Sequence, residues 1–440
     1  MRVLIISSFG GDGELDLAMR AQNNGHQVKW FFTPTERTKN FGKGLVDKVD
    51  DFRPWMRWAD LVILADNTKH LRDVDAWRKR EGIKVIGATA DAAAWELNRT
   101  EGQKIFKRNG IDTLPYREFK KYDEAIAYVK REMRRFVSKP CGDEPDKSLS
   151  YVSSSPQDMV YMLERWKRAQ KLKGNFILQN FVPGTEMAVG GWFGPGGFNQ
   201  GVFENWEFKS LMAGDRGPNT GEMGTIGRYV RKSKLFDKVL KPLEDDLYRL
   251  DYCGYVDVNC IIDEDGNPWP LEFTMRFGWP TFNIQQALLE GDVIQWLADL
   301  SDGHDLRPLR LNKIVCGVVM ALPDFPYSHA TAKNVTGVPV YGMEKKHLPN
   351  IHPCEMMLGE APQMINGKIT TAPMIVTAGD YVLVTTGIGD TVTQARTQAY
   401  KVIQSLKAPS SPFWRPDIGV RLKKQLPLIQ AKGYASGMKY

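Results

Sequence analysis

Two short stretches decide the fold, GPNTGEMG at Gly217–Gly224 and LEFTMRFG at Leu271–Gly278. The first is a glycine-rich turn that carries amide and hydroxyl side chains. The second is a predicted strand, and because side chains alternate along a strand, Glu272, Thr274 and Arg276 share one face. A carboxylate beside a guanidinium at a strand end is typical of a site that binds a magnesium–phosphate group and not of a hydrophobic core. The pair therefore predicts a protein that uses ATP.

A second carboxylate lies close to the LEFTMRFG stretch. YVDVNCII at Tyr255–Ile262 and the strand Trp269–Phe273 predict an antiparallel hairpin, because the DEDGNP between them contains an Asp-Gly turn signal. Asp257 and Glu272 then lie on adjacent strands, where two carboxylates repel each other unless a cation lies between them. Magnesium prefers oxygen ligands and bridges phosphates. The hairpin predicts a metal site, the alternative being two exposed strand carboxylates.

Short β-branched runs alternate with helical stretches over the first hundred residues, which predicts a parallel sheet covered by helices. A glycine turn at Gly10–Gly13 joins the first strand to a helix near Glu14–Asn23. Helix N–H groups at this turn could bind an anion, or the turn could be a tight turn without a ligand. The predicted strands are Val3–Ser7, Gln27–Phe32, Leu61–Ala65 and Lys84–Ile86.

Four parts are predicted along the chain, with the α/β class as the fold class. They are an N-terminal Rossmann-like domain at 1–98, a central domain at 99–300 with a small α+β lid at about 116–186, a β-rich domain at 301–425, and a tail at 426–440. The tail shows no clear periodicity, and we expect it to be partly disordered. The predicted helices are 91–109, broken at Gly102, then 282–300, and 391–406 with Asp390 as N-cap. The predicted later strands are 314–322 and 380–386.

Composition places the chain among ordinary globular proteins, with 42% apolar and 25% charged residues. A net charge of +7 fits anionic ligands and leaves nucleic acid open as a partner. The five scattered cysteines contain no CxxC spacing, which disfavours a disulfide framework or a zinc site. No apolar run approaches the roughly 18 residues of a membrane helix. We expect a cytoplasmic protein, either monomer or homodimer, that has no membrane partner.

Three further residues are candidates for nucleotide binding. Lys104 and Lys139 could neutralise phosphates, and Lys139 is fixed between the strand-like FVS and Pro140. Glu186 follows an apolar strand and could accept the hydroxyls of a ribose. Taken singly, the pattern at either lysine favours an ordinary surface residue, and the signal at Glu186 is weak.

Together these segments resemble the ATP-grasp family, and within it the glycinamide ribonucleotide synthetases (phosphoribosylamine–glycine ligases). GDRGPNTGEMG is similar to the glycine-rich turn of that family, and LEFTMRFG is similar to its metal strand. The helix with Glu96, Gln103, Lys104 and Phe106, together with GDTVTQARTQAY and RPDIG, also matches in order. The resemblance implies an ATP-grasp fold with a pre-ATP-grasp N-terminal domain, a small lid and a mostly β C-terminal domain.

The resemblance also implies roles for single residues. Arg276, Lys139 and Lys147 would take part in catalysis, and Arg276 would steady the transferred phosphoryl group or the carboxylate. The implied nucleotide-binding residues are Lys104, Lys139, Gln179, Asn180, Phe181 and Glu186. The implied substrate-binding residues are Asp215, Pro218, Asn219, Thr220, Gly221, Met223, Arg276, Arg415 and Asp417. The implied metal ligands are Glu272, Asp257 and Thr274.

The implied chemistry is an ATP-dependent ligation in purine biosynthesis. ATP, with Mg²⁺ or else Mn²⁺, would phosphorylate the carboxylate of glycine or a similar amino acid. An amine would then attack the acyl phosphate to give an amide, ADP and phosphate. The site would act mainly through charge neutralisation and alignment.

Several positions depart from the family pattern. Thr274 replaces an asparagine that binds magnesium, and Asn259 or Asp257 could compensate. The phosphate loop CGDEPDKSLS brings Asp143 and Glu144 close to polyphosphate. GDGE, Ala65-Asp66-Asn67, Ser210 and Trp279-Pro280-Thr281 alter the acceptor side, which indicates a different amine acceptor.

Two other interpretations stay open on the sequence. The same chemistry could act on a nucleotide or on a modified base in DNA, with Trp192, Phe193, Phe203 and Trp206 stacking on bases. Alternatively, the altered phosphate loop could leave a protein that binds ATP without turnover.

Overall fold

The N-terminal part is a parallel sheet, as the alternating pattern predicted. The computed structural model describes residues 1–8, 13–141, 149–171, 174–304, 310–327 and 332–440. The strand order β3-β2-β1-β4-β5 is parallel throughout. Its elements are β1 (Arg2–Ser7), α1 (Glu14–Asn23), β2 (Gln27–Phe32), β3 (Lys48–Val49), β4 (Leu61–Leu64), α2 (Leu71–Glu81) and β5 (Val85–Ile86).

The predicted helix over 91–109 is two helices, α3 (Ala90–Leu97) and α4 (Arg99–Arg108), and the predicted break at Gly102 is wrong. The break lies at Asn98, whose N–H donates to Ala94 at the end of α3. The side chain of Asn98 accepts from the N–H of Glu101 and so caps α4. One amide residue therefore ends one helix and begins the next, because asparagine is a favourable N-cap.

A small unit follows, with a core of its own in which Phe119, Phe136, Leu163 and Phe176 are buried. Its sheet has the order β6-β9-β7-β8, and two helices pack against each other beside it. The elements are β6 (Tyr116–Phe119), α5 (Tyr122–Glu132), β7 (Phe136–Pro140), β8 (Tyr151–Val152), α6 (Pro156–Arg168) and β9 (Phe176–Asn180).

A large antiparallel sheet carries the candidate site. Its order is β17-β16-β10-β12-β15-β18-β22-β19, with β11 paired to β10. The first elements are β10 (Thr185–Gly194), β11 (Gly197–Phe198), β12 (Val202–Glu207), β13 (Ser210–Met212), β14 (Arg216–Asn219), β15 (Gly224–Val230), α7 (Lys234–Val239), α8 (Glu244–Arg249), β16 (Gly254–Ile262) and β17 (Pro268–Thr274).

The strand-rich C-terminal part contributes three strands to this same sheet, so the stretch around Ser301–Pro308 does not separate two sheets. The hairpin β20–β21 stands apart as a two-stranded ribbon. The elements are α9 (Thr281–Gln286), α10 (Val293–Ser301), β18 (Ile314–Ala321), α11 (Ala332–Val335), β19 (Ile351–Pro353), β20 (Met356–Ile365), β21 (Lys368–Thr377), β22 (Tyr381–Gly389), α12 (Val392–Ser405) and α13 (Leu422–Gln430). Short 3₁₀ helices lie at Arg53–Trp55, Lys241–Leu243 and Lys345–Asn350.

Three local predictions for this region are corrected. The helix predicted at 282–300 is the pair α9 and α10. Thr391, not Asp390, caps α12 by accepting from the N–H of Gln394. The tail is folded, because α13 extends into it and Leu426, Ile429, Tyr434 and Met438 are buried.

All five cysteines are free thiols, as the spacing predicted. In the part of the chain that the structure describes, no helix is both long and apolar enough to span a bilayer.

Candidate active site

The hairpin β16–β17 provides the first wall of the site. Its register pairs Asp257 with Thr274 and Asn259 with Glu272. Because side chains at alternate positions share a face, four oxygen-bearing groups form a two-by-two array on one side of the hairpin. Asp257 and Glu272 are thus diagonal neighbours across the hairpin and not direct partners.

The polar face continues across β10 to β12. Ala188 pairs with Asn259 on one side and with Asn205 on the other. Gly190 pairs with Asp257, and a Cβ there would lie 1.9 Å from the hydroxyl of Tyr255. The glycine therefore leaves room for the Tyr255 hydroxyl, which donates to Asp257 Oδ2 over 3.0 Å. Small residues in β10 make this face concave.

A cavity of about 220 Å³ opens on this face. Pro140 and Ser150 of the small unit line it together with residues of the large sheet and of the turn after β14. Seven of the substrate-binding and metal-binding residues implied by the resemblance line it: Asn219, Thr220, Gly221, Asp257, Glu272, Thr274 and Arg276. The stretches GPNTGEMG and LEFTMRFG therefore meet in one cavity.

Glu272 is held by two cations inside this cavity. Arg99 Nη1 lies 2.6 Å from Glu272 Oε2, and Lys209 Nζ lies 3.2 Å from Oε1. Burial alone would raise the pKa of Glu272, but Arg99 and Lys209 outweigh it and hold the pKa well below its ordinary value. Glu272 is therefore a carboxylate at neutral pH, as a metal or phosphate site requires.

Lys209 connects three carboxylates. Besides Glu272, its ammonium lies 3.0 Å from Glu207 Oε2 and 3.8 Å from Glu186 Oε1. Burial lowers the pKa of Lys209, but these carboxylates raise it well above its ordinary value. The carbonyl of Lys209 also accepts from both the N–H and the hydroxyl of Thr220, each over 2.8 Å. Lys209 thus links the metal strand to the glycine-rich turn.

Arg276 lies at the other end of the cavity and is oriented by Glu96. Its Nε donates to Glu96 Oε1 over 3.1 Å. Glu96 Oε2 accepts from the N–H of Met275 over 2.7 Å and from Asn67 Nδ2 over 2.9 Å. The carboxylate of α3 therefore fixes the guanidinium and connects it to the N-terminal sheet.

Lys139 reaches the site from the small unit. Its Nζ donates to the carbonyl of Leu271 over 3.3 Å, one residue before Glu272. Burial lowers the pKa of Lys139 to about 8, with Glu272 acting in the opposite direction. The contact joins β7 to β17, which places the ammonium beside the metal strand.

The pKa of Lys139 predicts a pH dependence of ATP use. A phosphate binds the charged ammonium and not the neutral amine, so affinity is lost as pH rises through about 8. We expect the KM for ATP to rise roughly five- to tenfold between pH 7.5 and pH 9. Initial-rate measurements of ADP release over this range test it. Lys139→Arg, which stays charged, should flatten the rise, and an unchanged profile in that variant would contradict the assignment.

Other predicted residues lie away from the cavity. The side chain of Lys104 is 64% exposed and pairs with Glu101 over 3.3 Å. Gln179, Asn180 and Phe181 lie at the end of β9, and Met223 is buried in the core. Pro218 lies on β14 and does not line the cavity. Lys147, Asp143 and Glu144 lie outside the described residues, as do Gly10 to Asp12 of the first glycine turn.

Arg415 holds the hairpin β13–β14 and does not line the cavity. It is 1% exposed, and its guanidinium contacts Asp215 Oδ1 at 2.7 Å, Asp417 Oδ1 at 2.6 Å and the carbonyl of Ser210 at 2.9 Å. Asp417 also accepts from the N–H of Gly214 over 2.9 Å. These substrate-binding candidates therefore position the glycine-rich turn.

Removing this guanidinium should lower stability. We expect Arg415→Met to reduce the free energy of unfolding by ~2 kcal/mol, because a buried carbonyl and two carboxylates lose a charged donor. Urea denaturation followed by circular dichroism measures it. Arg57→Met is the matched control, since Arg57 pairs with Glu81 on the surface and should leave stability unchanged. Equal effects of the two substitutions would contradict this role.

Several residues of the site were missed from the sequence. They are Arg99, Glu207, Lys209, Glu222 and Tyr255. Trp279 and Thr281, which the sequence had already indicated on the acceptor side, also line the cavity. One signal was available: Asn205 and Glu207 alternate with the buried Trp206, and polar residues at every second position of a strand indicate a polar face. The aromatic residues proposed to stack on bases, Trp192, Phe193, Phe203 and Trp206, are buried in the core. That interpretation is wrong for these four residues.

Comparison with known proteins agrees with this geometry. A model of the phosphoribosylglycinamide synthetase ATP-grasp (A) domain matches residues 99–282. Residues 99–282 are therefore similar to an ATP-grasp domain. A phosphoribosylamine–glycine ligase of Ralstonia nicotianae is 27% identical over 360 residues, which are 79% of this chain and 81% of the relative.

Solved structures share the fold. The phosphoribosylamine–glycine ligase of Thermotoga maritima has a TM-score of 0.70 at 20% identity, covering 95% of this chain and 100% of that chain. A biotin carboxylase domain of Hydrogenobacter thermophilus 2-oxoglutarate carboxylase, solved with MgADP, has a TM-score of 0.60 at 12% identity, with 100% and 95% covered. These matches confirm the predicted resemblance and the predicted fold class.

Proposed function

We propose that this ATP-grasp ligase joins the carboxylate of glycine, or of a similarly small amino acid, to an amine, with phosphoribosylamine as the first candidate acceptor. The observation that carries the proposal is the single cavity in which the metal strand, the glycine-rich turn and three cations converge: Glu272, Asn219, Thr220, Arg99, Lys209 and Arg276. The two ligases compared above are named for this reaction.

The reaction needs an activated carboxylate, because an amine that attacks a free carboxylate must expel oxide. A carboxylate oxygen attacks the γ-phosphorus, the bond to the β–γ bridging oxygen breaks, and ADP leaves. The amine nitrogen then attacks the carbonyl carbon, and phosphate leaves with the oxygen that the carboxylate supplied. The amine loses a proton, and the amide remains. Charge neutralisation and alignment are the protein's main contributions.

The described residues fit a magnesium ion. Glu272 supplies a carboxylate and Thr274 a hydroxyl, both lining the cavity. Asp257 Oδ1 and Asn259 Oδ1 are buried and have no hydrogen-bond partner among the described residues. Hard oxygen donors of this kind are those that magnesium uses beside phosphate oxygens. When bound, the ion would neutralise phosphate charge and orient the transferred group.

Cationic side chains of the chain would supply the remaining positive charge. Arg276, fixed by Glu96, would bind the carboxylate or the transferred phosphoryl group. Lys139, beside Leu271, would bind a phosphate from the side of the small unit. Pro140 and Ser150 of that unit line the cavity, and their contact with the site supports a role in excluding water from the acyl phosphate.

We assign the nucleotide base to the end of β9. Gln179 is 1% exposed, and neither polar atom of its amide has a partner among the described residues. Backbone groups of Asn180 and Phe181 would read the edge of the base, and Glu186 on the neighbouring β10 would take the ribose. The guanidinium of Arg135 lies 3.5 Å from the centre of the Phe181 ring and would keep that ring in place.

An isotope experiment tests the reaction. The protein is incubated with Mg-ATP, glycine labelled with ¹⁸O in its carboxylate, and a set of amines that includes phosphoribosylamine. We expect ADP release that depends on one amine, and one ¹⁸O atom in each phosphate released. Product without ¹⁸O in phosphate would contradict the acyl-phosphate route. If ADP release needs a different amine, that amine is the acceptor and phosphoribosylamine is not. If the protein binds ATP but releases no ADP with any amine, the proposed reaction is contradicted.

A further inference from the structure

Two carboxyl groups in the cavity differ from the rest in having no cationic partner. Glu96 pairs with Arg276, Glu272 with Arg99 and Lys209, and Glu207 with Lys209. In the described part of the chain, Glu222 and Asp257 have no such ion pair. The cavity therefore carries surplus negative charge on this side.

Both groups are almost completely buried. Glu222 is 2% exposed and Asp257 is 3% exposed. Glu222 Oε2 is 3.4 Å from the hydroxyl of Thr281, whereas Glu222 Oε1 and Asp257 Oδ1 have no partner among the described residues. Burial, together with the nearby carboxylates of Glu207 and Asp257, raises the pKa of Glu222 well above its ordinary value. A buried carboxyl group without a partner is costly, and a bound cation would stabilise it.

The wall beside Glu222 is rigid and narrow. A Cβ on Gly221 would lie 2.3 Å from the indole of Trp279, so only glycine fits there. Trp279 packs against the ring of Tyr381, with centroids 4.2 Å apart. Glu222 therefore follows a glycine whose backbone lies against the indole of Trp279.

The cation that fits best is a primary ammonium. A divalent metal ion needs several oxygen ligands around one point, and the donors proposed for magnesium lie on the hairpin β16–β17, whereas Glu222 lies on the turn after β14. An ammonium has only donors to offer, and Glu222 Oε1 is a buried acceptor on the lining of this cavity that has no partner among the described residues.

We propose that Glu222 binds the ammonium group of the amino acid whose carboxylate is activated. This rests on the proposed function and names the group by which the ligase would select an amino acid over a simple carboxylic acid. Glu222 selects by charge and the Trp279 wall by size. The substrate class is therefore a small amino acid with a free amine.

Binding measurements test this without requiring turnover. Glycine and acetate, which lacks the amine, are titrated by calorimetry into the protein loaded with Mg²⁺ and a non-hydrolysable ATP analogue. Wild-type protein should bind glycine more tightly than acetate. Glu222→Gln should weaken the affinity for glycine roughly 30-fold, which is the effect of losing one charged hydrogen bond. The affinity for acetate should stay unchanged. Glu222→Asp, which keeps the charge, should retain part of the preference for glycine.

Matched controls separate this role from damage to the fold. Glu36→Gln makes the same change on a side chain that is 92% exposed and should not alter binding. Affinity for the ATP analogue and the thermal midpoint should be unchanged or higher in Glu222→Gln. Unchanged glycine affinity in Glu222→Gln, equal loss for glycine and acetate, or no preference in the wild type would each overturn the inference. Absence of ADP release with every amine would instead count against the proposed function alone.

Discussion

Replacing Glu272 with glutamine is expected to lower kcat/KM for ATP roughly 10²- to 10³-fold, the range seen when one electrostatic group of an active site is removed. Glutamine keeps the size of the side chain but removes the charge, which Arg99 and Lys209 now neutralise over 2.6 and 3.2 Å. Without that charge, a magnesium ion would lose its carboxylate ligand on β17. Initial rates of ADP release, with the amino acid and amine saturating, measure the effect.

The same substitution changes the magnesium requirement. If Glu272 binds the metal, a higher Mg²⁺ concentration should restore part of the activity of Glu272→Gln, because a weaker site can still be filled. Glu36→Gln is the control, with its exposed carboxylate paired to Lys39 at 2.6 Å. Activity of Glu272→Gln within about threefold of the wild type, at every magnesium concentration, would show that this carboxylate does not carry the metal.

Local signals in the sequence located half of this site. The Asp-Gly turn and the alternation along Tyr255–Ile262 predicted the hairpin, and the hairpin is present as β16–β17. The glycine-rich turn and the metal strand were predicted to serve one site, and they line one cavity. These inferences succeeded because turn chemistry and side-chain alternation depend on neighbouring residues only.

The remaining half depends on pairing between distant strands. Lys209 and Glu207 become part of the site because β12 joins the sheet beside β10, which no local pattern specifies. Arg99 reaches Glu272 because α4 packs against β17. Glu222 was overlooked because an acidic residue in a glycine-rich turn is usually exposed, and its burial becomes visible only in the folded structure. Arg415 and Asp417 hold the hairpin that carries the turn, and their predicted contact with substrate stays a prediction.

The helix errors have a related physical cause. Gly102 lowers helix propensity, so a break was predicted there, but the capping side chain of Asn98 determines where α3 ends and α4 begins. Pro427 disfavours a helix in the tail, and no helix was predicted there. The helix forms nevertheless, because Leu426 and Ile429 pack against the large core. A local cap therefore outweighed helix propensity at Asn98, and tertiary packing outweighed it in the tail.

Replacing Lys209 with methionine is expected to have the second large effect, on stability and activity together. Its ammonium is the shared partner of Glu186, Glu207 and Glu272, and its side chain is only 32% exposed. Three carboxylates would then repel one another with fewer cations between them. We expect a loss of ~2 kcal/mol in the free energy of unfolding, less than for a fully buried pair because solvent reaches part of the cluster. Urea denaturation at pH 7.5 measures it.

Activity separates Lys209 from a purely structural residue. We expect Lys209→Met to lower kcat/KM for ATP roughly 10²-fold, because Glu272 loses one of its two cations and Thr220 loses the fixed position of its carbonyl acceptor. Lys209→Arg keeps the charge and should recover most of the stability. Lys313→Met removes an exposed partner of Asp390 at 2.6 Å and is the matched control. If Lys209→Met and Lys313→Met behave alike, the carboxylates do not depend on this ammonium, and the cavity must owe its shape to the backbone alone.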